Sequence, residues 1–132
     1  MLHYVSAIDI KDLDISEDDL EKRGSMVNLN GALTEGVYYI LLSLLTPMHG
    51  YGIMQHVEML SGGRVKLAAG TLYGAMNTML ERDWIQALPG AADKRKKEYM
   101  ITDMGKEVLS QELGRLEELV ANGKTLLGGQ VK

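Results

Sequence analysis

Residues 70–101 read GTLYGAMNTMLERDWIQALPGAADKRKKEYMI, and the punctuation of this stretch decides the architecture. After Gly70-Thr71, the apolar residues Leu72, Met76, Met79 and Leu80 recur at helical spacing, which predicts a helix to about Arg82 with those four facing inward. Trp84–Leu88 and Glu98–Ile101 then read as strands. The segment between them opens with the turn dipeptide Pro89-Gly90 and ends in Lys94-Arg95-Lys96-Lys97. A helix followed directly by a hairpin with a basic arm is the expected core of the molecule.

Upstream, Leu33, Val37, Ile40, Leu41, Leu44 and Leu45 follow the helical repeat, and Thr46-Pro47 stops it. His49-Gly50-Tyr51-Gly52 reads as a turn, and Ile53, Val57 and Leu60 as the inner side of a second, shorter helix ended by Ser61-Gly62-Gly63. Val65-Lys66-Leu67 alternates and is expected to form a small strand. Downstream, Thr102 is a helix cap with Asp103 in the first turn, and Leu109, Leu113, Leu116, Leu119 and Val120 make a leucine stripe. The order is three helices, a short strand, a hairpin and a long last helix. It predicts a mainly α chain, a winged helix-turn-helix with a long C-terminal dimerisation helix.

The expected division is an acidic leader over residues 1–30, a winged-helix domain over 31–101, and the terminal helix and tail over 102–132. Residues 1–30 carry seven acids against three bases, a net −4 that equals the charge of the whole 132-residue chain. Gly24-Ser25-Met26 looks like a junction, so the leader is either a fused, non-native piece or a native acidic arm. Between Ser61 and Met100 seven bases face four acids, leaving +3. Screening cuts exposed charges off beyond about 10 Å, so this local excess outweighs the total, and an acidic protein can still meet nucleic acid.

Several classes are excluded or unsupported. There is no cysteine, which removes disulfides and thiolate metal sites. The apolar run Val37–Leu45 is too short to span a bilayer, and no signal-peptide pattern opens the chain, so a cytoplasmic location without membrane contact is expected. His3, His49 and His56 lack metal-ligand spacing, the glycines form no nucleotide fingerprint, and no Ser/His/Asp or carboxylate pair is placed for catalysis. A cofactor-free protein that is not an enzyme is the expectation.

The third helix offers Thr71, Ala75, Asn77, Thr78 and Arg82 away from its apolar side, small or polar groups that suit close approach to a duplex and bonds to base edges or phosphates. An ordinary solvated surface would explain them equally well if they stood alone. Lys94, Arg95, Lys96 and Lys97 gain weight from their position on a hairpin arm beside that helix, where they can straddle phosphates. From Thr102 to Leu127 the last helix would reach roughly 39 Å, more than this small domain can cover. Part of its stripe is therefore expected to face a second copy, with recognition helices set for half-sites about 34 Å apart.

Leu33-Thr34-Glu35 through Val37–Leu42, then His49-Gly50-Tyr51-Gly52-Ile53, Gly70-Thr71-Leu72-Tyr73, and Arg95–Tyr99 with Ile101-Thr102 and Gly105, resemble PadR-family regulators over about residues 33–127. The resemblance implies a dimeric winged-helix repressor of the short branch with a single C-terminal helix, bound to a double-stranded DNA operator. It implies that Thr71 and Tyr73 begin the DNA-facing helix, that Asn77 and Thr78 lie further along it, and that Lys94–Lys97 supply the wing contacts. Some members of that branch bind aromatic compounds at the dimer interface. A small hydrophobic effector held by Leu113, Leu116 and Val120 is the corresponding expectation here. Three residues depart from the family's pattern: many members have proline at Gly74 and arginine at Thr78, and Asp83 replaces a usual glycine. The terminal helix has no aromatic residue, which opposes an aromatic stacking pocket. The rival reading is a winged-helix module that binds protein and not DNA, favoured by the acidic balance and opposed by the basic arm.

Overall fold

The computed structural model describes residues 31–90 and 92–131; the acidic leader, residues 1–30, lies outside the described residues. Thr34 starts the first helix by accepting the backbone N–H of Val37 on its hydroxyl at 3.2 Å, with Glu35 at the positive end of the helix dipole. Helix α1 (Glu35–Ser43) buries Val37, Ile40 and Leu41, and Leu44 caps it from within the core. Leu45, expected on the same side, stands 46% exposed because the helix has already ended.

The structure corrects the reading of residues 49–52. Strand β1 is Met48–His49, and helix α2 (Gly50–Leu60) begins at once, so His49–Gly52 is no turn. The imidazole Nδ1 of His49 accepts the N–H of Gly52 at 3.0 Å, replacing the serine or aspartate usual at that position. Helix α2 buries Ile53 and Val57, while Leu60 sits at its rim. Gly62 and Gly63 then carry the chain away with φ of 64° and 86°, a region glycine enters without a Cβ penalty.

Val65–Leu67 forms no strand. Val65 and Leu67 tuck against the core and Lys66 points to solvent, which produces the alternation without any ladder. The third strand is β1 instead, whose two residues are too few to show a period. Helix α3 (Ala69–Glu81) buries Leu72, Met76 and Met79, with Leu80 half-buried. Strands β2 (Ile85–Ala87) and β3 (Glu98–Ile101) pair antiparallel, Ile85 opposite Ile101 and Ala87 opposite Tyr99. The sheet order is β1-β3-β2, with Met48 opposite Tyr99. Between β2 and β3 lies a single 3-10 turn, Lys94–Lys96, and helix α4 (Asp103–Val131) closes the chain. A winged helix with an appended helix is the fold.

One apolar cluster joins every part: Ile40, Leu41, Leu44, Ile53, Leu72, Met79, Trp84, Ile101 and Leu109 all belong to it. Helix α3 passes into the hairpin at Asp83, whose φ of 60° lies in the left-handed region that favours glycine and tolerates aspartate. The Thr102 hydroxyl reaches the carbonyls of Asp83 and Trp84 and accepts the N–H of Gly105 at 3.0 Å. Thr102 N–H bonds to the Trp84 carbonyl at 2.9 Å, so the first turn of α4 lies directly on that carbonyl.

A Cβ on Gly105 would stand 2.1 Å from the Trp84 carbonyl oxygen and 2.6 Å from the Ile101 side chain. Backbone cannot yield there as a flexible side chain could. Gly105→Ala is expected to lower stability by more than about 2 kcal/mol, read as a drop in the urea midpoint. A midpoint equal to that of the parent would contradict this packing.

Candidate nucleic-acid interface

The start of α3 carries no side-chain cap. Ala68 precedes the helix and has no acceptor to offer the first N–H groups. Ala68, Ala69, Gly70 and Thr71 are all exposed, so small side chains surround donors at the positive end of a helix, where phosphate oxygens are bound well. Residues 68 and 69 were not among the expected contacts. The signal was available in the sequence as a helix start with neither Ser, Asp nor Asn before it.

Opposite Leu72, Met76 and Met79, the outer side of α3 presents Gly70, Gly74 and Asn77, all exposed, with Thr78 half-buried at its flank. Thr78 Oγ1 leans back toward the Gly74 carbonyl at 3.4 Å. Glu81 stands at the end of the same side, so anionic partners are favoured at the start of the helix and not at its end. Tyr73 differs from the other expected contacts: 38% exposed, it turns its hydroxyl end against Gly50 at the start of α2. The Arg82 guanidinium lies 5.2 Å from the centroid of the Trp84 ring, which engages it in a cation–π contact.

The basic arm owes its shape to Asp93. Its Oδ1 accepts the backbone N–H of Arg95 at 2.9 Å and its backbone carbonyl accepts that of Lys96 at 3.0 Å, winding residues 94–96 into the 3-10 turn. The Arg95 backbone N–H, and then its guanidinium, holds the Asp93 carboxyl below the usual carboxylate range. Lys96 is exposed and Lys97 half-buried; for Lys94 only the backbone is described. The turn and α3 both pack against α2. Across the molecule Arg64 makes a two-pronged pair with Glu35, Nη1 to Oε1 at 3.0 Å, and that hydrogen bond lowers the pKa of Glu35. Arg64 thus spends its charge on α1.

The stripe of α4 divides in two. Leu109 is 8% exposed and belongs to the core of its own chain. Beyond it, Leu113 is 48%, Leu119 50% and Val120 54% exposed, with Leu116 half-buried. An open groove of about 680 Å³ lies elsewhere, lined by Tyr51, Met54, Gln55, Glu58, Met59 and Leu67 with Gly62 and Gly63. Leu113, Leu116 and Val120, the expected effector-binding residues, line no part of it.

Residues 39–111, more than half of the chain, match the model of the family described as the transcriptional regulator PadR-like family. The chain belongs to the PadR-like family of transcriptional regulators. Among solved structures, this PadR-like chain resembles a transcriptional regulator from Clostridium thermocellum at 26% identity and a TM-score of 0.57, over 74% of this chain and 95% of the other. It shares its fold with a PadR family regulator from Eggerthella lenta (24% identity, 89% and 95% covered, TM-score 0.57). A PadR-like regulator from Bacillus cereus does the same (21% identity, 70% and 89% covered, TM-score 0.56). No curated protein matches. Among the described residues, no helix is long and apolar enough to cross a membrane.

A Cβ added at Gly74 would meet nothing within 4 Å. Glycine inside a helix costs about 1 kcal/mol relative to alanine, so Gly74→Ala is expected to stabilise the protein by roughly that amount. A thermal melt checks it, and a lower melting temperature would mean that the position is not open.

Proposed function

We propose that this PadR-like regulator is a homodimeric repressor that binds a near-palindromic DNA operator, with α3 in the major groove and the Lys94–Lys97 arm on the flanking phosphates. The observation that carries this reading is that the uncapped, small-residue start of α3 and the basic turn belong to two elements that both rest on α2. Thr71, Asn77 and Thr78 are the candidate groove contacts. Asn77 is suited to read adenine, because its amide can donate and accept at once. Lys94, Arg95, Lys96 and Lys97 supply charge that is indifferent to sequence.

Self-association is supported by α4. Its 29 residues extend about 44 Å at 1.5 Å per residue, and Leu126 and Leu127 near its end are 70% and 67% exposed. Monomers rarely leave so continuous an apolar surface in water. A second copy laid against Leu113, Leu116, Leu119 and Val120 would cover it. Those side chains, repeated across the twofold axis, would also wall a site for a small hydrophobic effector. Its binding would shift the separation of the two α3 helices and with it operator affinity.

Two experiments test the reading. Lys96→Ala with Lys97→Ala should weaken binding to the gene's own upstream duplex and to a scrambled one alike, and should flatten the plot of log affinity against log salt by about two units. An unchanged slope would remove the arm from the interface. Leu119→Glu with Val120→Glu should convert the dimer to a folded monomer in sedimentation equilibrium, because two charges cannot be buried in an apolar seam. A dimer that persists would place the partner elsewhere.

A further inference from the structure

Tyr73 is an expected DNA contact whose hydroxyl end the structure sets against the start of α2. A Cβ built on Gly50 would stand 2.1 Å from the Tyr73 hydroxyl oxygen, 2.6 Å from Cζ and 3.2 Å from Cε1. Gly50 has no positive φ, so glycine is not required there by the backbone. The far end of the Tyr73 ring occupies the space a side chain at Gly50 would take, so any larger residue there would displace the ring. Gly50 is buried, at the first residue of α2. Tyr73 lies near the start of α3, the helix proposed to enter the groove.

Gly50, against which the ring is seated, directly follows β1, whose His49 lies opposite Glu98 of the wing strand β3. Tyr99 is half-buried on β3, opposite Met48 of β1 and Ala87 of β2. Burial, and after it the neighbouring Tyr73, raises the pKa of the Tyr99 hydroxyl. β3 continues directly from the basic turn. Tyr73 therefore stands where α3, the start of α2 and the wing strand meet. An aromatic side chain with two rotatable torsions is a stiff spacer in such a place.

Building on the operator-binding reading, we infer that Tyr73 is a positioning residue and not a direct DNA contact: its ring, seated in the notch left by Gly50, fixes α3 relative to α2 and to the wing. That seat sets how far the groove-entering helix stands from the phosphate-binding arm. A shift of the order of 1 Å in such a spacing is enough to spoil hydrogen-bond geometry at base edges, while charge attraction to phosphates persists.

The test compares the full chain with Tyr73→Phe, Tyr73→Ala, Gly50→Ala and the double variant Gly50→Ala/Tyr73→Ala. Each is titrated against the upstream duplex and a scrambled duplex by fluorescence anisotropy, and unfolded in urea. Tyr73→Phe keeps the ring in its seat and should leave operator affinity within about twofold. Gly50→Ala should reduce the preference for operator over scrambled DNA about tenfold at a temperature where circular dichroism finds it folded. Its affinity for the scrambled duplex should change less than twofold. Gly50→Ala should also cost little further stability once Tyr73 is alanine, because the clashing ring is gone, so the urea midpoints should be non-additive.

A tenfold loss for Tyr73→Phe at an unchanged urea midpoint would make the hydroxyl a DNA contact and overturn the inference. Additive midpoints would overturn the seat itself, whatever the protein binds. Failure of the unaltered protein to prefer its upstream duplex would overturn the operator reading, and the positioning role with it, even if the midpoints couple.

Discussion

Thr102 ends β3, precedes α4, and reaches with its hydroxyl the two carbonyls through which α3 passes into the hairpin. The same oxygen accepts the N–H of Gly105, and the Thr102 N–H bonds to Trp84. One residue thus ties the end of the groove-facing helix, the base of the wing and the root of the terminal helix. Ile101, one step earlier, donates to the Leu44 carbonyl at 2.8 Å and adds α1 to the same corner. Several of these groups are partly buried, where a backbone polar group needs a partner. Because they are paired with one another, the pieces of the molecule cannot move independently at this end. The left-handed backbone of Asp83 is the local cost of that sharp passage, and the missing Cβ of Gly105 is its steric condition.

The opposite end of α3 is held differently. There the chain uses the Tyr73 ring against Gly50, and leaves the helix start open to solvent. A corner fixed by hydrogen bonds and a seat fixed by ring packing together define the pitch of α3 over the core. Its exposed side is small and uncharged until Glu81. The charges are distributed to match. Arg64 is engaged by Glu35 and Arg82 by the Trp84 ring, while Arg95 is drawn to Asp93, with Nη2 to Oδ2 at 3.3 Å. Arg64 and Arg82 are thus engaged within the molecule, while the Arg95 side chain stays 90% exposed despite its pair. Lys66 and Lys96 are exposed and Lys97 half-exposed, the last directly after the turn that holds Lys96.

Helix α4 serves two different ends along its length. Up to Leu109 it packs on α1 and the core of its own chain. At the boundary Glu112 is buried and takes a two-pronged ion pair from Arg115, Nε to Oε1 at 2.9 Å and Nη2 to Oε2 at 2.6 Å. Such a pair keeps a buried carboxylate satisfied within its own helix. Past it, apolar side chains continue at helical spacing, and among the described residues Leu113, Leu119 and Val120 are exposed and Leu116 half-buried. The leucine stripe that looks uniform in sequence is a core contact at one end and an exposed surface at the other.

Periodicity alone placed α1, the buried positions Leu72, Met76 and Met79 of α3, the two hairpin strands and the root of α4, since apolar spacing directly records which side of an element leaves water. It also located the basic arm, because charge is written residue by residue. Two elements were misjudged for the same reason: β1 has only two residues and no period, and the alternation in Val65–Leu67 reflects packing against the core without a pairing strand. A strand exists through its partner, and partners are assigned by tertiary contact. In the same way, the sequence named Leu109 and Leu113 as equals and Tyr73 as an outward residue. Only the folded chain decided that Leu109 is core, that Leu113 is uncovered and that Tyr73 fills the space above Gly50, because burial depends on what other segments bring to the same place.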